Sequence, residues 1–110
     1  VDDVIILILA KEDEFLINYA QKMIHNNESR ISVIDYNDKI KLHPELKESI
    51  RSIEQQVPNH IAMFSKEKIN QTFLQSTDLL LISIQAWRYL IETKPGWLTD
   101  VPSVLILKHR

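Results

Sequence analysis

A chain of 110 residues has the length of one domain, and 45% hydrophobic with 25% charged residues makes it globular material, not disordered. The absence of cysteine excludes disulfides, thiolate metal sites and cysteine nucleophiles. A net charge of −2, with both signs interspersed, gives no field to attract nucleic acid, and the longest apolar runs, about seven residues, fall far short of the ~20 that span a bilayer.

Val4 to Ala10 (VIILILA) is a continuous apolar run rich in β-branched residues, the pattern of a strand covered on both faces. Lys11-Glu12-Asp13-Glu14 breaks it with acids suited to a helix N-terminus. Phe15, Leu16, Tyr19, Ala20, Met23 and Ile24 then recur at helical spacing, and His25-Asn26-Asn27 is expected to end that helix, asparagine tolerating the left-handed conformation. Arg30 to Tyr36 reads as a second strand, its alternation predicting less complete burial. Asn37 to His43 is a polar loop. Pro44 suits a helix first turn, where its missing N–H costs nothing. Leu46, Ile50, Ile53 and Val57 mark that helix's buried stripe, and Pro58-Asn59 closes it.

His60 to Phe64 is a short third strand, with Ser65 an expected N-cap and Ile69, Phe73 and Leu74 the stripe of a short third helix. Leu79 to Ile84 (LLLISI) is the second fully apolar run. A fourth helix starts near Ala86 and is interrupted by Pro95-Gly96. A last turn, Trp97 to Asp100, leads to a fifth strand, Val104 to Leu107. Strands alternating with helices predict an α/β fold: one domain over residues 1–110, with a five-stranded parallel sheet between two helical layers in a three-layer sandwich and the first and fourth strands central.

Open parallel sheets bind ligands beyond the C-terminal ends of their strands, where strand order reverses. The loops after the first and fourth strands are therefore the expected site, and Lys11, Glu12, Gln85 and Arg88 are its candidate ligand-binding residues. Phosphate cradles need glycines there, because the backbone must bend sharply and approach the ligand. The chain has one glycine, Gly96, in neither loop, so a Walker A loop and a dinucleotide fingerprint are excluded by counting. A phosphoacceptor receiver needs an aspartate ending the third strand. Glu12 and Asp13 imitate its acid pair and Lys108 its lysine, but the third strand ends Met63-Phe64-Ser65. His25, His43, His60 and His109 lie on four segments without ligand spacing, so no metal or other cofactor is expected. Asp13 and Glu14 read as complements to a helix dipole, and Trp87 and Trp97 as packing beneath the fourth helix. No nucleophile–base pair is visible, which argues against an enzyme.

Glu12-Asp13-Glu14-Phe15-Leu16-Ile17-Asn18-Tyr19-Ala20-Gln21-Lys22-Met23, following an apolar strand and followed by Arg30-Ile31-Ser32-Val33-Ile34-Asp35-Tyr36, resembles the C-terminal cytosolic domain of monovalent cation:proton antiporters of the second family, which includes the plant cation/proton exchangers. Thr77 to Ser83 is similar to that family's "DLxIVGR" strand. Trp97-Leu98-Thr99-Asp100 and Ser103 to Leu107 resemble its "LTDW" segment and its closing "SVLVVQ" strand. The whole is similar to the universal stress protein fold. The glycine signature of nucleotide-binding stress proteins is missing from Ser83 to Arg88, as is the antiporter Gly-Arg, so no nucleotide-binding residue carries over.

The resemblance implies a regulatory or assembly domain, without catalysis, on the cytoplasmic side of the membrane, whose partner is the transmembrane domain of a parent transporter. The sequence begins without methionine and opens almost at once on a strand, which reads as a domain taken from a longer protein. A small-molecule effector is a further expected partner. Homodimerisation through Val104, Leu105, Ile106 and Leu107 is another, because an apolar last strand should lie at a sheet edge. The alternative is a free-standing stress-protein-like domain that binds a nucleotide or another small anion.

Overall fold

The computed structural model describes residues 2–38, 40 and 43–109. Residues 39, 41 and 42, within the expected polar loop from Asn37 to His43, lie outside the described residues. Among the described residues, five strands alternate with four helices: β1 (Asp3–Ile8), α1 (Leu16–Asn27), β2 (Arg30–Asp35), α2 (Pro44–Gln56), β3 (Ile61–Ser65), α3 (Gln71–Gln75), β4 (Leu79–Ser83), α4 (Ile84–Thr93) and β5 (Ser103–Leu107). Short 3-10 turns lie at Lys11–Phe15, Lys66–Lys68 and Gly96–Asp100. No helix among the described residues is long and apolar enough to cross a membrane.

All strand pairs are parallel, in the order β3-β2-β1-β4-β5. This is the expected α/β architecture, with helices on both faces of one five-stranded sheet. The chain steps outward from β1 through β2 to β3, returns to the other side of β1, and ends on β5. Right-handed crossovers in opposite directions put their helices on opposite faces, and the core divides accordingly. Val4, Ile6 and Ile8 of β1 pack with Leu16, Ile17, Ala20 and Ile24 of α1 and with Leu46, Ile50 and Ile53 of α2. Ile5 and Leu7 point the other way, to Leu74 of α3 and to Ala86 and Leu90 of α4. One unbroken apolar run thus serves two cores, because successive strand residues alternate faces.

Several boundaries differ from expectation for local reasons. Asn27 is still helical, and the left-handed residue that ends α1 is Glu28 (φ 55°), whose N–H bonds the Ile24 carbonyl at 3.0 Å. α4 begins at Ile84, because the buried Ser83 hydroxyl accepts from the Ala86 N–H at 3.1 Å and caps it there. It ends one residue before the left-handed Lys94 (φ 48°), ahead of Pro95, which has no N–H to continue the ladder. The cap of α3 is Asn70, accepting from the Phe73 N–H at 2.8 Å. Ser65 makes no capping bond; its hydroxyl, near Glu67, instead helps hold that acid below its ordinary pKa. β2 is more buried than its alternation suggests, since Ile31, Val33, Ile34 and Asp35 are all covered between β1 and β3.

The opposite end of the sheet is held by Asp78. Its carboxylate accepts from the backbone N–H of Asp3 at 3.0 Å and of Asp2 at 3.2 Å, while its own N–H donates to the Asp3 carbonyl at 2.8 Å. These two N–H donors, with a smaller contribution from the Arg30 charge, hold the Asp78 pKa below its ordinary value. A depressed carboxylate stabilises the fold above the unfolded-state pKa of about 3.9 and loses that contribution as pH falls through the lower folded value. Asp78→Asn should therefore be less stable than the native chain at pH 7, with the gap closing below about pH 4. Urea unfolding at pH 7, 5 and 3 checks this; a gap that stayed constant with pH would refute it.

Candidate functional site

The reversal of strand order falls between β1 and β4, so the loops that follow them flank the crevice position of the fold. After β1 the chain turns immediately, and Asp13 makes that turn. Only 3% exposed, its carboxylate accepts from the N–H groups of Leu9 at 2.9 Å and Ala10 at 3.1 Å. Its own N–H returns a bond to the Ala10 carbonyl at 3.0 Å. Asp13 stands at the third position of the 3-10 turn, among its first-turn acids as the dipole reading has it, and its side chain also folds back onto the preceding backbone and fixes the loop, whereas Glu14 points to solvent. Asn37, entering from β2, adds a bond from its amide to the Leu9 carbonyl at 3.2 Å.

The four candidate ligand residues separate into two pairs. Lys11 and Glu12 lie on the turn after β1 and line a groove of about 980 Å³ between α1 and α2. Gln85 and Arg88 lie on α4, whose buried residues pack on the other face of the sheet, and neither lines that groove. All four side chains are exposed. The groove gathers residues that the sequence did not single out together: Glu45 and Glu48 from α2, and His109 from beyond β5. The His109 ring stacks on Phe15 with centroids 4.9 Å apart and planes at 17°. The spacing of Glu45 and Glu48 at i and i+3 could have marked them as one outward face of α2. That this face looks toward α1 is tertiary information.

On the opposite face, Trp87 and Trp97 are half-buried against the α3–α4 core, as expected. Trp97 meets Tyr36 edge-on at 6.2 Å, and Lys66 lies 5.8 Å from the Tyr36 ring. Lys68 sits over Phe64 at 4.7 Å. These lysines cover aromatic rings that the five-residue α3 is too short to shield. Gly96 has ordinary negative φ and open space around it, so nothing there requires a glycine. Among the described residues, no group of three or more His, Asp or Glu side chains could hold a metal ion.

Among the described residues β5 pairs with β4 alone and forms one edge of the sheet, where its apolar sequence and last place in the chain predict it. Val104 and Leu107 are half-buried, whereas Leu105 is 44% and Ile106 is 42% exposed. Alternation puts these two exposed side chains on opposite faces of the edge. The neighbouring α4 exposes Tyr89 and Ile91 as well.

The chain matches no protein-family model and no curated protein.

Proposed function

We propose that this domain is a cytosolic regulatory and assembly module of a cation/proton antiporter of the second monovalent family, with no catalysis of its own. The observation that carries the assembly part is the β5 edge. It offers unpaired backbone N–H and C=O groups beside exposed Leu105 and Ile106, with no charged residue inside the strand to discourage pairing. A second copy adding its own β5 across a two-fold axis would satisfy those groups and cover the apolar side chains of both protomers. The antiporter part is supported by the residue resemblance in α1, β2, β4 and β5. The glycine-free loops after β1 and β4 speak against a phosphate-handling enzyme.

Analytical ultracentrifugation over a concentration series tests the edge. The expected result is a reversible dimer that becomes monomeric when Leu105→Lys and Ile106→Lys are combined, with unchanged far-UV circular dichroism. A native chain that stays monomeric into the millimolar range would overturn the assembly role. Hydrophobic spans encoded upstream of Val1 would support the transporter parent, and a start codon directly beside it would refute that parent. A melting temperature raised several degrees by ATP and restored to its ligand-free value by Lys11→Ala would favour the free-standing nucleotide-binding alternative.

A further inference from the structure

The groove between α1 and α2 has an apolar floor and an acidic rim. Phe15, Ile17, Leu46 and Ile53 form the floor, drawn from both helices and the turn that precedes α1. Glu12 and Glu14 stand on one wall and Glu45 and Glu48 on the other. Among the described residues, the groove presents against these four carboxylates one lysine, Lys11, and one histidine, His109, so its described lining is net negative. Glu12, Glu14 and Glu45 make no ion pair among the described residues, and Glu48 has only a 3.7 Å contact with Arg51 of its own helix. Carboxylates facing each other across a concave surface repel unless a cation lies between them, and the apolar floor between them lowers the local dielectric.

We propose that this groove is the docking site for a cationic amphipathic segment of a partner protein, with Lys or Arg side chains on the two acidic walls and apolar side chains on the floor. The site is distinct from the β5 edge, and the proposal stands whether or not the domain belongs to an antiporter. The shape favours a peptide over a bare ion. Among the described residues, no three acidic or histidine side chains converge on a metal position, and about 980 Å³ of open groove suits side chains from successive turns of a helix. An anionic lipid surface would be repelled by the same carboxylates. The His109 ring, stacked on Phe15, lines the groove and ties the segment after β5 to the turn that precedes α1. The same 3-10 turn, held by Asp13, carries Glu12 and Glu14, so the buried Asp13 bonds set the shape of that acidic wall.

The probe is a fluorescein-labelled helical peptide of about 18 residues, with leucines at i, i+3, i+4 and i+7 and lysines elsewhere. Fluorescence anisotropy is read at 50 and 300 mM NaCl. The peptide should bind at low salt and weaken several-fold at high salt, because screening shortens the reach of the rim charges. The Glu14→Lys/Glu48→Lys variant should weaken binding about tenfold or more, whereas Glu67→Lys/Glu92→Lys, which changes net charge equally but lies outside the groove, should leave it within about twofold. Amide chemical-shift changes should cluster on α1, α2 and the Lys11–Phe15 turn. Equal loss in the two double variants would reduce the effect to bulk charge and overturn the proposal. So would the absence of binding, equal binding of a scrambled peptide of the same composition, or shift changes centred on β5. If sedimentation shows a dimer that the groove variant alone dissociates, the occupant is a second copy, and the partner-segment proposal fails while the β5 prediction fails with it.

Discussion

Asp13→Ala is expected to destabilise the domain by about 3 kcal/mol, and Asp13→Asn by only about 1 kcal/mol. The carboxylate accepts two backbone N–H groups, at 2.9 and 3.1 Å, from a position that is 3% exposed. A bond to a charged acceptor contributes about 1.5–3 kcal/mol, and a buried donor left without a partner costs about 1–3 kcal/mol. Alanine removes the acceptor for both donors at once. The asparagine carbonyl can stand where Oδ2 stands and keep both bonds, losing only their charge assistance. Chemical denaturation of the three proteins at pH 7 measures this. Equal stability of all three would mean that water replaces the carboxylate, whereas an asparagine variant as damaged as the alanine variant would assign the effect to charge instead of bond geometry. The alanine variant should also lose affinity for the cationic peptide, because Glu12 and Glu14 ride on the turn that Asp13 holds.

Ile6→Ala should cost about 4 kcal/mol, a large share of the 5–15 kcal/mol that stabilises a typical domain, while Ile106→Ala, measured on the monomer at low concentration, should cost about 1 kcal/mol or less. Both isoleucines sit inside apolar strand runs. Ile6 is fully buried in the central strand, with α1 and α2 packed over it, so truncation leaves a cavity that its neighbours cannot fill. Ile106 is 42% exposed on the edge strand, and its removal leaves little unfilled space. A melting temperature lower by roughly 15 °C for Ile6→Ala and by a few degrees for Ile106→Ala is the corresponding thermal result. Similar losses in both would mean that β5 is as deeply covered as β1, contrary to the sheet order.

Where the acidic wall of the groove meets solvent, sequence and structure part company. Glu12, Asp13 and Glu14 are three adjacent acids after a strand, and nothing in their order says that the middle one turns inward. That follows from the 3-10 turn, which aims Asp13 at the N–H groups of Leu9 and Ala10 and leaves its neighbours in water. Lys11 and Arg88 look equivalent in the sequence, each following a central strand. They differ in space because α1 returns on one face of the sheet and α4 on the other.

The sequence by itself determined the alternation of five strands and four helices, since unbroken apolar runs, helical stripes and the N1 proline of α2 are local signals that tertiary packing reinforces. It also determined that no glycine-rich phosphate loop follows β1 or β4 and that cysteine chemistry is absent, because composition alone decides both. Only the tertiary structure decided which helix faces share a groove, which carboxylate is buried, and which apolar strand is left open to a partner. Those depend on the order β3-β2-β1-β4-β5, a set of long-range pairings whose direction of travel, not any residue's own preference, assigns each helix to a face and each strand to the centre or the edge.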